Sequence, residues 1–355
     1  MPVTTPNPYS VVAEDPALAM SLPQQAYLDS AVFDAEVERV LKGGWLPVAR
    51  SADLPEPGDY RAVDLAGTPL VVTRDKDGAL HVLSRVCRHR GMPVIEGAGN
   101  VKGLTCPYHL WRYGLDGRLA SAPAMEQSKV FDRSDCDLPA IAHTEWGGWV
   151  FANLDGRASP LAPQLGPLAD RLAAIAPERL VTGGVIDLES PWNWKIMVEN
   201  FLESYHHIGP HAGTLQQSNP GLGTYVADAH GAFTILENPP AGPGHSPFVV
   251  ACVFPLTLMF FLEGEMPLGV WYELDGIEVD RFRLRVHLLM PPEAAAVPEI
   301  VAGYREQVLH VHNEDIPVCE GIQAGVASQL YAPGPLSHLE RSLWHFYRHL
   351  QSKMS

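Results

Sequence analysis

The stretch 192–211, WNWKIMVENFLESYHHIGPH, decides how the rest of the chain is read. Its opening predicts a helix: Ser190 is a favourable N-cap, and Pro191 suits the first helical position, where no N–H is needed. Helical periodicity puts Glu203 on one face with His206 and His207. Gly209-Pro210 then breaks the helix and lets His211 swing back toward that face. Glu203, His206 and His211 therefore converge, in the spacing E-x2-H-x4-H. Two imidazoles and a carboxylate suit Fe(II), Zn(II) or a similar metal. The competing reading is a polar helix end that happens to hold three histidines.

At 355 residues the chain is long enough for two or three domains with a buried core. Its 46% apolar and 19% charged residues are ordinary for a soluble globular protein. The longest apolar run, 248–262, is interrupted by Pro255 and ended by Glu263, too short to span a bilayer. The opening residues, MPVTTPNPYS, lack a basic region followed by an apolar run, so no secretory signal is expected. Cys87, Cys106, Cys136, Cys252 and Cys319 are odd in number and scattered, which is no disulfide framework. A reducing cytoplasm is the expected location.

A net charge of −16 argues against nucleic acid or an anionic membrane as partner. The charge is uneven: residues 45–155 hold 12 Lys/Arg against 14 Asp/Glu. Between 80 and 120 the sign reverses, with Arg85, Arg88, Arg90, Lys102, Arg112 and Arg118 facing only Glu96 and Asp116.

That basic segment carries a second constellation. Cys87-Arg88-His89 is followed, after sixteen residues, by Cys106-Pro107-Tyr108-His109. Zinc is the first rival, but zinc modules usually pair Cys with Cys and His with His at their short spacings. Two mixed pairs from two loops fit a Rieske [2Fe–2S] centre, in which one iron takes both thiolates and the other both imidazoles. Gly91 and Gly103 let backbone N–H groups approach the sulfurs, which tunes the potential.

In chain order, an irregular lead precedes a helix over 30–41, with Val32, Phe33, Val37 and Val40 inward, ended by Gly43-Gly44. Strands 69–74 and 79–84 are joined by the hairpin signal Asp75-Lys76-Asp77-Gly78. A Pro/Ala/Leu-rich link with a short helix covers 160–179. Strands follow at 224–237, 248–262, 268–274 and 281–290. In the last, Arg281, Arg283, Arg285 and His287 alternate with apolar residues, so His287 is expected at the surface. A long helix over 299–330 contains Pro317 and a stripe of Val308, His312, Asp315, Cys319, Ile322 and Val326. A carboxylate in such a stripe needs a compensating charge, which makes Asp315 a candidate metal ligand, with Glu314 pointing away. A local packing or capping role for Asp315 is the alternative.

CRHRGMPV and CPYHLWRYGLDGRL resemble the Rieske domain of ring-hydroxylating oxygenase α-subunits. WGGWVFANLD (146–155) resembles the strand that closes that domain. NWKIMVENFLESYHHIGPH and NEDIPVCEGIQAG (313–325) are similar to the family's mononuclear iron motif and its third-ligand segment. Leu110, where most members have Gly, and Arg112 depart from the pattern without removing a ligand. The resemblance implies an α+β protein in three parts: an N-terminal helical segment on the catalytic domain (1–44), an all-β Rieske [2Fe–2S] domain (45–155), and a helix-grip catalytic domain (156–355), an antiparallel sheet with helices. It also implies that Cys87, His89, Cys106 and His109 hold the cluster and that His206, His211 and Asp315 hold Fe(II). Glu203 would then bind no iron, but accept hydrogen bonds from His206 and, across a subunit boundary, from His109.

The activity so implied is that of a terminal oxygenase. It would use O2 and electrons from NAD(P)H, through a ferredoxin or reductase, to hydroxylate a small aromatic, cyclic or N/O-methyl substrate. A homotrimer is the expected assembly. Cys252, Phe254, Met259, Phe261 and Trp271 are candidate pocket residues, set against a role in core packing. Two other classes compete: a Rieske electron-transfer protein with a non-catalytic second site, and a zinc hydrolase.

Overall fold

The computed structural model describes residues 7–355. The first six residues of the N-terminal lead lie outside the described residues. The helix expected over 30–41 is present, with Asp29 capping it by accepting from Ala31 and Val32 N–H. Its last turn, Val37–Leu41, is widened, with Lys42 N–H reaching Val37 O at 2.9 Å. Tyr9, Leu22, Tyr27, Val32 and Val40 from this segment pack in one core with Trp194 and Phe346 of the catalytic domain. Glu36 is wholly buried there, against Lys195 Nζ at 2.8 Å, Trp194 Nε1 at 3.0 Å and the Tyr9 hydroxyl.

The Rieske-type segment is built from three small antiparallel sheets. One pairs Leu46–Arg50 and Ala142–Trp146 on either side of Trp149–Asn153. A second holds Asp59–Leu65, Thr68–Arg74, Leu80–Ser84 and Ala98–Asn100. The third is short: Leu104–Thr105, Arg112–Tyr113 and Leu119–Ser121. The expected hairpin closes with Arg74 opposite Leu80, and the Asp75 carboxylate accepts from Asp77 and Ala79 N–H at 2.9 Å.

Seven antiparallel strands form the catalytic sheet, in the spatial order Val181–Ser190, Phe282–Met290, Leu268–Asp275, Thr257–Leu262, Phe248–Val253, Phe233–Asn238, Tyr225–His230. Two segments read as single strands are hairpins: 224–237 turns after His230, and 248–262 turns at 254–256. The first strand carries a weak sequence signal, because Gly183 and Gly184 dilute its β character and a register shift sits between Thr182 and Gly184. Helices Trp194–Phe201, Pro298–Val326 and Arg341–Met354 share a core with one face of the sheet. The other face packs on Trp149 and Phe151 of the Rieske-type segment and on Leu161, Leu165, Leu168 and Leu172 of the link.

Covering both faces corrects the reading of His287. It is 3% exposed, stacks on Trp271 at 4.3 Å, and meets Glu273 Oε2 at 2.6 Å. Arg61 of the Rieske-type segment reaches the same carboxylate at 2.6 Å, so a strand face that alternation assigns to solvent is closed by a domain contact. Arg61 and His287 overcome the burial penalty and hold Glu273 down at about 2. No helix among the described residues is long and apolar enough to cross a membrane.

Candidate active site

The chain enters the site through helix Trp194–Phe201, and its cap is Asn193, whose side chain accepts from Lys195 N–H at 2.9 Å. Ser190, the expected cap, instead ends a strand of the sheet. Nor does one helix run through to Ile208: it stops at Phe201, and a separate tight turn, Tyr205–Ile208, carries His206 and His207. Glu203 starts that turn by accepting from His206 N–H at 3.0 Å. Gly221 lets the turn sit close, since a Cβ there would lie 2.1 Å from Ser204 O.

The break brings three donor atoms together. His206, His211 and Asp315 each offer one atom within 4.8 Å of the others. Asp315 Oδ1 lies 3.6 Å from His206 Nε2 and 3.0 Å from His211 Nε2, and accepts from Asn200 Nδ2 at 3.1 Å. The opposite nitrogen of each ring meets a carboxylate: His206 Nδ1 on Glu203 at 2.6 Å, and His211 Nδ1 on Glu314 at 2.7 Å. This corrects the expectation that Glu314 points away; Thr214 Oγ1 also donates to it at 2.7 Å. Burial raises the Asp315 carboxyl, but His211 and His206 outweigh it and hold the group below the usual carboxylate range. Two imidazoles with tethered outer nitrogens and inward Nε2 atoms, beside an ionised carboxylate, fit a divalent iron with open positions. His207 takes no part. It is buried, its Nδ1 donates to Asn219 O at 3.0 Å, and burial pushes its pKa down to about 4.

Above the three donors lies a cavity of about 960 Å³, walled by Phe201, Phe248, Phe260, Tyr272, Tyr304 and Val308 among others. Cys252, Phe254, Met259, Phe261 and Trp271, the expected pocket residues, are not on this wall. Phe254 packs on His349 at 5.1 Å, Cys252 lies in the helix-side core, and the other three belong to the opposite face of the sheet. In a strand a shift of one residue changes the face, and in this sheet both faces are apolar. Sequence therefore offered no signal for choosing Phe260 over Phe261.

The second constellation is equally local. Two turns of one form present the four residues: Gly91 N–H returns to Cys87 O at 3.0 Å, and Leu110 N–H to Cys106 O at 3.1 Å. The residue four after each cysteine is left-handed, with φ +76° at Gly91 and +59° at Leu110. His89 Nδ1 and His109 Nδ1 lie 3.1 Å apart, near enough for one metal to reach both at about 2.1 Å. Cys87 and Cys106 are buried beneath them, with the Tyr113 hydroxyl 3.3 Å from Cys87 Sγ. Two buried thiols and two half-buried imidazole nitrogens are the donor set of a Rieske cluster.

Comparison with known proteins adds to this geometry. Residues 44–132 match the Rieske [2Fe-2S] domain, and residues 177–246 and 236–355 match the ring hydroxylating alpha subunit (catalytic domain). The two matched domains imply a Rieske cluster and a mononuclear iron. The oxygenase subunit of carnitine monooxygenase from Acinetobacter pittii is 35% identical over 202 residues, 56% of this chain and 54% of that protein. The alpha subunit of biphenyl dioxygenase from Paraburkholderia xenovorans is 34% identical over 203 residues, 53% of this chain and 44% of that one. Both matches thus span about half of the relative's length or less. A crystal structure of a quaternary ammonium Rieske monooxygenase with an inhibitor superposes with TM-score 0.84, at 25% identity, over 96% of this chain and 97% of that one. Naphthalene 1,2-dioxygenase from Rhodococcus sp., at 21% identity, shares the fold with TM-score 0.78 over 94% of each chain. With the catalytic-domain match alone spanning half of its length, and the Rieske match ahead of it, the chain belongs to the ring-hydroxylating alpha-subunit family of Rieske oxygenases.

Proposed function

We propose that this chain is the terminal component of a Rieske oxygenase, using O2 and externally supplied electrons to hydroxylate a small organic substrate. The observation that carries this reading is the pairing of two donor sets in one chain: two Cys and two His on paired turns, and His206, His211 and Asp315 under a cavity. Cys87, His89, Cys106 and His109 would hold the [2Fe–2S] cluster, and His206, His211 and Asp315 the iron. When bound, the cluster supplies single electrons and the ferrous ion activates O2 toward a C–H or C=C group.

The surrounding residues orient and connect these groups. Glu203 and Glu314 fix the two imidazoles in the tautomer that turns Nε2 inward. Asn200 holds Asp315 by its Oδ1. The aromatic wall excludes water from the substrate's reacting end. In a head-to-tail homotrimer, Glu203 would also accept from His109 of the partner subunit, joining one copy's cluster to the next copy's iron. Electrons would come from a ferredoxin or an NAD(P)H-dependent reductase docking on the basic surface beside the cluster, where Arg88, Arg90, Lys102 and Arg112 are exposed.

The test is single-turnover chemistry: protein reduced chemically, mixed with O2 and a panel of aromatic, cyclic and N- or O-methyl compounds, with products read by mass spectrometry. Incorporation of an atom from labelled O2 into one compound is expected. Cluster reoxidation without substrate-dependent O2 uptake would identify an electron-transfer protein, and stoichiometric zinc without sulfide a hydrolase.

A further inference from the structure

We propose that Asn219 is a positioning residue that locks a loop of the cavity wall to the turn carrying Glu203 and His206, so that substrate fit and iron-ligand placement are set together. The proposal rests on the oxygenase reading and deepens it. Residues 239–247 join strands Phe233–Asn238 and Phe248–Val253, and Gly244, His245 and Ser246 of this loop line the cavity. Pro239, Pro240, Pro243 and Pro247 have no N–H to donate, so the loop has few backbone bonds with which to fix itself.

Asn219 holds it from outside. Its side-chain amide donates to Asn238 O at 3.0 Å and to Ser246 O at 3.1 Å, one carbonyl near each end of the loop. The preceding residue helps, because Ser218 O accepts from Ala241 N–H at 2.7 Å. The backbone carbonyl of Asn219 faces the other way and accepts from His207 Nδ1 at 3.0 Å. The His207 ring stands edge-on to both ligand imidazoles, with centres 5.3 Å from His206 and 5.5 Å from His211.

A second link runs beside the first. Ser204, between Glu203 and the turn Tyr205–Ile208, donates from Oγ to Asn238 Oδ1 at 2.7 Å. Ser204, His207, Asn219 and Asn238 are each 3% exposed or less. A satisfied polar network at such depth is rigid, and removing one member leaves its partners unpaired. The base of the cavity loop and the Glu203–His206 turn therefore share one brace, and a substrate that touches Ser246 bears on it.

Hydrogen–deuterium exchange of the cluster- and iron-replete protein, read by mass spectrometry, tests the brace without a substrate. In Asn219→Ala, amides in 239–247 and in 204–209 should both exchange faster, by about fivefold or more, the equivalent of one lost hydrogen bond. Ser204→Ala breaks the second link with Asn219 intact and should loosen the same two segments; it carries the test if Asn219→Ala fails to fold. Wild-type exchange of 204–209 in Asn219→Ala, or of 239–247 in Ser204→Ala, overturns the proposal. Steady-state kinetics with the compound that turns over in the labelled-O2 panel separates a brace from a simple loop staple. Asn219→Ala should lower kcat about fivefold as well as raise KM, whereas a rise in KM alone overturns the proposal. Absence of substrate-dependent O2 uptake in wild type, with both segments loosened in the variants, removes the oxygenase reading and leaves the Asn219 link in place.

Discussion

Glu314 and Asp315, neighbours on one helix, take opposite ends of a single imidazole: His211 Nδ1 meets Glu314 Oε2 at 2.7 Å, and Nε2 of the same ring lies 3.0 Å from Asp315 Oδ1. The two carboxylates should separate in metal analysis. Asp315→Ala should lose the mononuclear iron and activity yet keep the cluster. Glu314→Gln should keep the donor set and weaken iron affinity or activity by about 10–100-fold. Iron loss in Glu314→Ala with retention in Asp315→Ala would reverse the roles.

Tyr113 should set the cluster's potential. Its hydroxyl accepts from Arg88 N–H at 3.1 Å, which leaves its proton for Cys87 Sγ at 3.3 Å. A hydrogen bond to a ligand sulfur favours the reduced state. Tyr113→Phe should therefore lower the potential by about 40 mV, the equivalent of one hydrogen bond of about 1 kcal/mol. Redox titration followed by EPR measures it; an unchanged or raised potential counts against the contact.

The start of helix Trp194–Phe201 is anchored by a buried ion pair. Lys195 and Glu36 are both 0% exposed, with Tyr9 and Trp194 also bonded to Glu36. Lys195→Met strands a buried carboxylate and should destabilise the protein by about 3–5 kcal/mol in urea titration. A loss below about 1 kcal/mol would place the pair among those that solvent already screens.

Reduction by a partner should depend on salt. Arg85 is engaged by Asp64 and Glu96, but Arg88 and Arg112 are exposed beside the cluster turns without an ion pair among the described residues. Cluster reduction by an acidic ferredoxin or reductase should slow as ionic strength rises, and Arg88→Glu or Arg112→Glu should slow it further at low salt. Salt-insensitive reduction of wild type contradicts this docking face.

Both donor sets could be read from sequence because their residue types and short spacings are local: Cys87 with His89, Cys106 with His109, and His206 with His211. Asp315 is legible because an acidic residue interrupts a mostly apolar stripe; His312, Asp315, Cys319 and Val326 of that stripe are buried, whereas Ile322 is exposed. Long-range packing hid the rest. Residues 259, 261 and 271 look as suitable for a pocket as 260, 262 and 270, and only the Rieske-type segment on the far face separates them. Glu36 shares the inward side of its helix with Val32 and Val40, but nothing local names Lys195, 159 residues on, as the cation buried against it. Glu314 reads as outward until the break after Phe201 swings His211 onto it. Leu110 stands out in sequence as a departure from the family's glycine, but a leucine gives no local signal for its left-handed φ of +59°.

Glu203, which holds His206 Nδ1 at 2.6 Å, is the proposed link that makes the two centres one electron path. The most direct measurement is rapid-mix oxidation of the pre-reduced cluster, in iron-replete protein with O2 and a substrate from the single-turnover panel. Wild type should reoxidise quickly, whereas Glu203→Gln, with its cluster signal and iron retained, should be slower by about 100-fold or more, the upper end for loss of a carboxylate supporting a ligand histidine. Wild-type oxidation rates in an iron-replete Glu203→Gln sample would contradict the claim and reduce Glu203 to a structural carboxylate.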